Sequence, residues 1–308
     1  MTGHIAVGLD GSRESLAAAG WAAREARLRG LSLRLVHAWE GLTCPDRDAG
    51  LKEPVLPELA VPRHWARRIL RSAENDLNLR YPGLRIVADL VAEPPVAALA
   101  AAGKETELLV LGSRGLGGVT GFLVGSVAMS TVAHAVRPVA LVRAGYRAQA
   151  EEGPGGHGQA PSRTSCRAVT LGLDARRPCD PVIEFAFDAA ARRGAPLSVV
   201  HTWKPPPSSA DPAVAAPEPT ADAEAEARAR RAVSAALRLW REKYPEQEIT
   251  ELLRTGKPAR NLVALTEGAE LLVIGRRNRR SAIGAHLGPV AHAAIHHVRC
   301  PVVVVPHD

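Results

Sequence analysis

Four residues in one connection carry the clearest chemical signal in this chain: Gly112, Gly115, Gly125 and Ser126. Two residues separate the first pair, nine separate Gly115 from Gly125, and Ser126 follows at once. The continuous apolar run 108–111 before this loop reads as a strand buried on both faces, and 126–135 after it reads as a helix. Glycines so placed let backbone N–H groups turn inward around an anion, since a side chain at Gly115 or Gly125 would push the backbone away from it. Ser126 adds a hydroxyl at a helix N-terminus, where the helix dipole favours negative charge. Arg114 adds a cation inside the loop. This is phosphate-holding chemistry. The bland alternative is a tight strand-to-helix connection and nothing more.

Other constellations fail on spacing. No G-x-x-x-x-G-K-[ST] is present, and no G-x-S-x-G elbow. After the first apolar run the chain reads Gly8-Leu9-Asp10-Gly11-Ser12 where a dinucleotide fingerprint needs G-x-G-x-x-G. Asp10 is either a ligand contact or the cap of the following helix; Ser12 can take the cap instead and leave the carboxylate available. His292 and His296 lie four apart, but no Glu follows His292 and no further ligand spacing is at hand, so no metal site is expected. Cys44, Cys166, Cys179 and Cys300 form no C-x-x-C pair and read as reduced thiols.

The elements that must position the loop occur twice. Asp10 recurs as Asp174, Val36-His37-Ala38-Trp39 as Val200-His201-Thr202-Trp203, and the run ending at Gly112 as the run ending at Gly275, at an offset of 163–164 residues. A single repeat of that length is a duplicated domain, because solenoid periods are several-fold shorter. The expected organisation is domain one over 1–145, a Gly-, Ala- and Pro-rich linker over 146–165, and domain two over 166–308. The proline-rich stretches 41–62 and 205–222 are expected as long loops after each second strand.

In the first half, strands are expected over 5–9, 31–38, 84–91, 108–111 and 139–142. Helices are expected over 12–29, with Leu16, Ala19, Ala23 and Ala26 along an apolar stripe, and over 64–80, 95–103 and 126–135. Alternating strands and helices of this kind make an α/β fold: two tandem doubly wound domains, each a five-stranded parallel sheet with helices on both faces. In such sheets ligands bind beyond the C-terminal strand ends where the winding reverses, which is where the glycine loop begins.

The second copy departs from the first at the loop. It reads Gly275-Arg276-Arg277-Asn278, then nine residues, then Gly288-Pro289. Asn278 tolerates a left-handed backbone. Pro289 fits a first helical turn but removes the N–H and hydroxyl that Ser126 supplies. A degenerate copy with solvated arginines is expected, although its basic loop leaves open an anion held in another way.

The composition, 46% hydrophobic and 23% charged over 308 residues, fits two soluble globular domains. The net charge of +7 comes from scattered arginines, and few aromatics are present to stack bases, so no nucleic-acid partner is expected. Neither a leader nor a bilayer-length apolar run is seen, so a cytoplasmic location and no membrane partner are expected.

Val7-Gly-Leu-Asp10-Gly-Ser12, Leu35-Val-His37-Ala38-Trp39 and the G-x2-G-x9-G-S loop together resemble the universal stress protein family of the ATP-binding kind, in two tandem copies. The resemblance implies that Asp10, Gly11, Ser12 and the backbone near Ala38 meet adenine and ribose. It implies that Gly112, Arg114, Gly115, Gly125 and Ser126 cradle the triphosphate, with Mg2+ as a possible companion. Asp174, Thr202, Gly275, Asn278 and Gly288 are the weaker equivalents in the second copy. Domains in this family pair through the final strand, here 139–142 and 302–305, which implies intramolecular pairing and a possible homodimer. The implied role is a nucleotide-responsive stress factor, acting through an unidentified protein partner and without fast catalysis. Two alternatives stand beside it: an adenine-nucleotide-dependent enzyme, by adenylyl or phosphoryl transfer or slow ATP hydrolysis, and a nucleotide-independent interaction scaffold.

Overall fold

The computed structural model describes residues 3–39, 57–113, 125–146, 167–203, 219–278 and 287–308, with backbone only at 57–62 and 219–222. It divides into two compact units, Met1–Ala148 and Gln149–Asp308.

Unit 1 runs β1 (His4–Gly8), α1 (Arg13–Arg29), β2 (Ser32–Ala38), α2 (Pro57–Arg80), β3 (Ile86–Val91), α3 (Pro95–Glu105), β4 (Leu108–Ser113), α4 (Ser126–His134) and β5 (Val139–Arg143). Its strands lie in the order β3-β2-β1-β4-β5. Every ladder is parallel, with Gly8 opposite Val36, Val7 opposite Val110, and Gly112 opposite Val142. Unit 2 repeats the pattern as β6 (Val169–Gly172), α5 (Asp180–Arg193), β7 (Leu197–Trp203), α6 (Pro219–Lys243), β8 (Ile249–Thr255), α7 (Pro258–Leu265), β9 (Leu271–Arg277), α8 (Pro289–His297) and β10 (Val302–His307). Its order is β8-β7-β6-β9-β10, again parallel throughout.

Parallel strands need crossover helices, so both faces are covered and the strands are apolar along their whole length. Ile5, Leu33, Leu35, Val110 and Val142 are fully buried in unit 1, as are Leu171, Val199, Val273 and Val303 in unit 2. In unit 1 α1 packs with α2 and α3 with α4, which right-handed crossovers place on opposite faces of the sheet. The sheet therefore winds one way from β1 to β3 and the other way from β4 to β5. The ends of β1 and β4 sit side by side at the reversal.

Three expectations change, and a fourth lies outside the described residues. Helix α2 begins at Pro57 and α6 at Pro219, inside stretches expected as loops, because proline is favoured at the first helical position, where its missing N–H costs nothing. Leu16 is 44% exposed while Ala19, Ala23 and Ala26 are buried, so the inner stripe of α1 is made of alanines. Strand β4 runs on to Ser113 and β9 to Arg277, past the apolar runs, since their last residues pair with β5 and β10. The linker expected over 146–165 falls almost wholly outside the described residues.

Candidate functional site

In unit 1 the chain leaves β1 still attached to the sheet, with the Leu9 N–H donating to the Val36 carbonyl at 2.8 Å. It then turns through Gly11, whose φ of +82° is left-handed and suits glycine. Ser12 caps α1: its backbone is extended, and its hydroxyl oxygen accepts from the Ser15 N–H at 3.2 Å. The same hydroxyl donates to Asp10 Oδ1 at 2.5 Å, and the Ser12 N–H donates to that oxygen at 2.9 Å. Asp10 thus does not cap the helix; it closes an Asx turn around the residue that does. Ser12→Ala should cost unit 1 about 1 kcal/mol by removing this cap, read as a lower urea midpoint at unchanged m.

The close neighbour of this turn is the end of β4. An ideal Cβ built on Gly112 would lie 2.6 Å from the Glu14 carbonyl carbon and 2.7 Å from the Ser15 nitrogen. Glycine at 112 lets the first turn of α1 seat against the sheet. Across the gap, α4 starts at Ser126 with Gly125 as its cap residue, which has no side chain to satisfy the first N–H groups of the helix. A Cβ on Gly125 would meet nothing within 4 Å. A helix start of this kind beside open space presents N–H donors and the positive end of a dipole.

These pieces enclose a cavity of about 300 Å3. Asp10, Ser12, Ala38, Gly112, Gly125 and Ser126 all line it. Gly11 does not; it shapes the turn from behind, facing Ile69. Arg114 and Gly115 lie outside the described residues. The sequence reading missed Glu14 and Ser15 and the apolar wall of Val36, Pro95, Leu99 and Leu111. The i,i+4 step from Asp10 to Glu14 across a helix start was the available signal for Glu14. His37 stands next to Ala38 but not on the cavity wall. Burial pushes its imidazole below the usual value, against the pull of the Leu9 carbonyl and the Asp10 carboxylate, so it is neutral at pH 7.

Unit 2 builds the matching corner differently. Arg13 follows Gly8 by five residues, whereas Asp180 follows Gly172 by eight, so α5 starts about one turn later than α1. The intervening segment carries Pro178 and folds into a turn: the Arg176 N–H donates to Asp174 Oδ1 at 3.2 Å and the Arg177 N–H to the Asp174 carbonyl at 3.0 Å. Cys179 precedes the helix without a side-chain capping bond. The place that α1 takes against Gly112 is filled at Gly275 by the His307 ring and Val182, whose atoms come within 2.7 Å and 3.1 Å of an ideal Cβ.

The result is a cavity of about 610 Å3, larger than that of unit 1. Asp174, Thr202 and Gly275 line it. Asn278 and Gly288 are not among its described lining residues. The Asn278 N–H donates to the His307 carbonyl at 2.5 Å and its amide to Asp308 Oδ1 at 3.3 Å, which extends the β9–β10 ladder. His201 belongs to the wall, with Nδ1 2.9 Å from the Leu173 carbonyl oxygen. Burial pushes the Cys179 thiol up, aided by Asp180 and Asp308, so this wall cysteine is a protonated, weak nucleophile. His292 and His296 stack on α8 with ring centroids 4.3 Å apart, and burial together with the neighbouring histidines holds His292 below its usual value.

Two sheets with matched corners invite comparison with known proteins. The universal stress protein family matches this chain twice, over residues 1–143 and 166–306. A universal stress protein of Mycobacterium tuberculosis is 30% identical over 99% of this chain and 96% of its own length. A second from the same organism is 30% identical over 97% of this chain and 95% of its own. The crystal structure of a universal stress protein from Archaeoglobus fulgidus covers 99% of this chain and 98% of its own with a TM-score of 0.69 at 17% identity, a likeness of fold. With both halves matched and the duplication preserved end to end, the chain belongs to the universal stress protein family as a tandem member.

Proposed function

We infer that unit 1 binds an adenine nucleotide, ATP with Mg2+ as the leading candidate, and that the chain acts as a nucleotide-responsive stress factor without fast catalysis. One observation carries the reading: α4 opens on a Gly125-Ser126 N-terminus, whose cap residue has no side chain, facing a cavity at the point where the sheet reverses. The triphosphate goes to the orphan N–H groups and the Ser126 hydroxyl, and the base and ribose to the Asp10 and Ala38 end. A cavity of about 300 Å3 is at the small end for such ligands, so part of the nucleotide stays at the surface.

Slow turnover follows from the ionisable groups available. Among the described lining residues these are Asp10 and Glu14, and Asp10 already holds the Ser12 amide and hydroxyl. Neither is a free base beside the α4 end where the phosphates would lie. Bound nucleotide would then act by mass action, stabilising one arrangement of the cavity rim that a protein partner reads.

The test is calorimetric titration of ATP and Mg2+ into the full chain and into Gly125→Asp. The added carboxylate enters open space, so folding is kept while the phosphate position becomes repulsive. Unit-1 affinity should fall by about a hundred-fold or more. ATP binding that survives in unit 1 of a folded variant would sink this reading.

A further inference from the structure

We propose that the cavity of unit 2 is a second and chemically distinct ligand site, which holds a polyphosphate chain on arginine side chains in place of a helix N-terminus. It does not rest on the nucleotide reading of unit 1. The two cavities occupy matched corners, but their described walls differ in charged side chains. The described wall of the unit-1 cavity has the carboxylates Asp10 and Glu14 and no basic residue. Among the described residues, the wall of the unit-2 cavity has Arg176, Arg177 and Arg277 against one carboxylate, Asp174. None of these three guanidinium groups pairs with a carboxylate among the described residues.

Backbone geometry explains how the exchange came about. The late start of α5 removes the helix turn that would have closed this corner and puts the Arg176-Arg177 turn in its place. Arg277 is brought to the same space because β9 runs two residues beyond Gly275, held by pairing with β10 up to His307. On the far side Pro289 begins α8, so the helix that would have supplied an extra N–H and a hydroxyl offers neither. The backbone donors are weakened and side-chain donors stand in for them. Guanidinium forks bind phosphate oxygens two at a time, tolerate several phosphate orientations and need no glycine loop. Trp203, Leu173 and Ile274 add an apolar part to the wall, beside the polar His201 and Thr202, and leave room for an organic group attached to the phosphates.

The probe is inorganic tripolyphosphate, titrated by calorimetry into the full chain carrying Gly125→Asp, so that unit 1 is silent. One site per chain is expected, weakening steeply as salt is raised. The variant Arg176→Ser/Arg177→Ser/Arg277→Ser should bind about ten-fold or more weakly. A control of equal charge change on the outer face of α6, Arg228→Ser/Arg231→Ser/Arg238→Ser, should bind as the parent does. ATP on the same parent distinguishes the sources: equal affinity identifies the phosphate chain alone as the ligand, and tighter ATP binding adds the apolar wall to recognition. Circular dichroism of the triple variant keeps folding separate from binding, and Arg176→Lys/Arg177→Lys/Arg277→Lys should recover part of the loss. The proposal is overturned if tripolyphosphate fails to bind the Gly125→Asp chain, or if the cavity and control variants lose affinity alike.

Discussion

Gly112→Ala should destabilise unit 1 by at least about 1–3 kcal/mol and weaken its ligand binding at the same time. The added methyl group would sit 2.6–2.9 Å from three backbone atoms of Glu14 and Ser15, and backbone in a helix start cannot swing aside as a long side chain can. Nor can Gly112 itself retreat, since it is registered against Val142 within the sheet. The compliant part is the first turn of α1, which moves outward and takes the Ser12 cap and the Asp10 turn with it. Urea unfolding should show a lower midpoint, and ATP titration a weaker site. Gly125→Ala is the matched control for stability, because its Cβ meets nothing and its φ of −60° suits any residue. Wild-type stability in Gly112→Ala would mean that α1 does not rest on the end of β4.

Phe187→Ala should cost unit 2 about 3–5 kcal/mol. Phe187 is fully buried on α5, with its ring 5.5 Å from that of Tyr244 and 6.1 Å from that of Trp240 on and just after α6. Removing it leaves a void between two helices whose aromatic partners are too large to collapse into it, and it discards the tilted ring contacts as well. In a domain of this size the corresponding shift is roughly 10 °C in the melting temperature of unit 2. Phe187→Leu should lose much less. Differential scanning calorimetry of the full chain reads the shift, and a Phe187→Ala transition within a degree or two of wild type would contradict the burial.

Some of this was open to sequence reasoning because it depends on residues close along the chain. The Gly8-Leu9-Asp10 and Gly172-Leu173-Asp174 repeats mark two strand ends, and the apolar runs before Gly112 and Gly275 mark two more. Parallel pairing of such runs places the four ends at two reversal points. The Ser12 cap was legible for the same reason. The reason for glycine at 112 was not: it lies in Glu14 and Ser15, nearly a hundred residues earlier, and exists only once α1 is docked on β4. Helix starts at Pro57 and Pro219 were hidden because proline serves both loops and first turns. The late start of α5 had a local sign in Pro178, but that sign is weak beside an otherwise constant repeat offset. Hence the second copy was read from its loop alone, while its character is set by a turn a hundred residues upstream of that loop and by His307 at the end of β10.

The all-parallel ladders bear on how the chain is made as well as on what it holds. No two neighbouring strands of unit 1 can pair as a hairpin; β1 must wait for α1 before it meets β2, and for the whole of β2 to α3 before β4 can enter beside it. Long closures of this kind slow folding and keep apolar strands exposed for longer. Yet all five strands of unit 1 are contiguous in the chain and are complete by Arg143. At the pace of translation, the first cavity can therefore assemble on the ribosome while the second unit is still being synthesised. Under the proposed function, nucleotide present at that moment would trap the nascent first unit in its folded form and so aid its biogenesis.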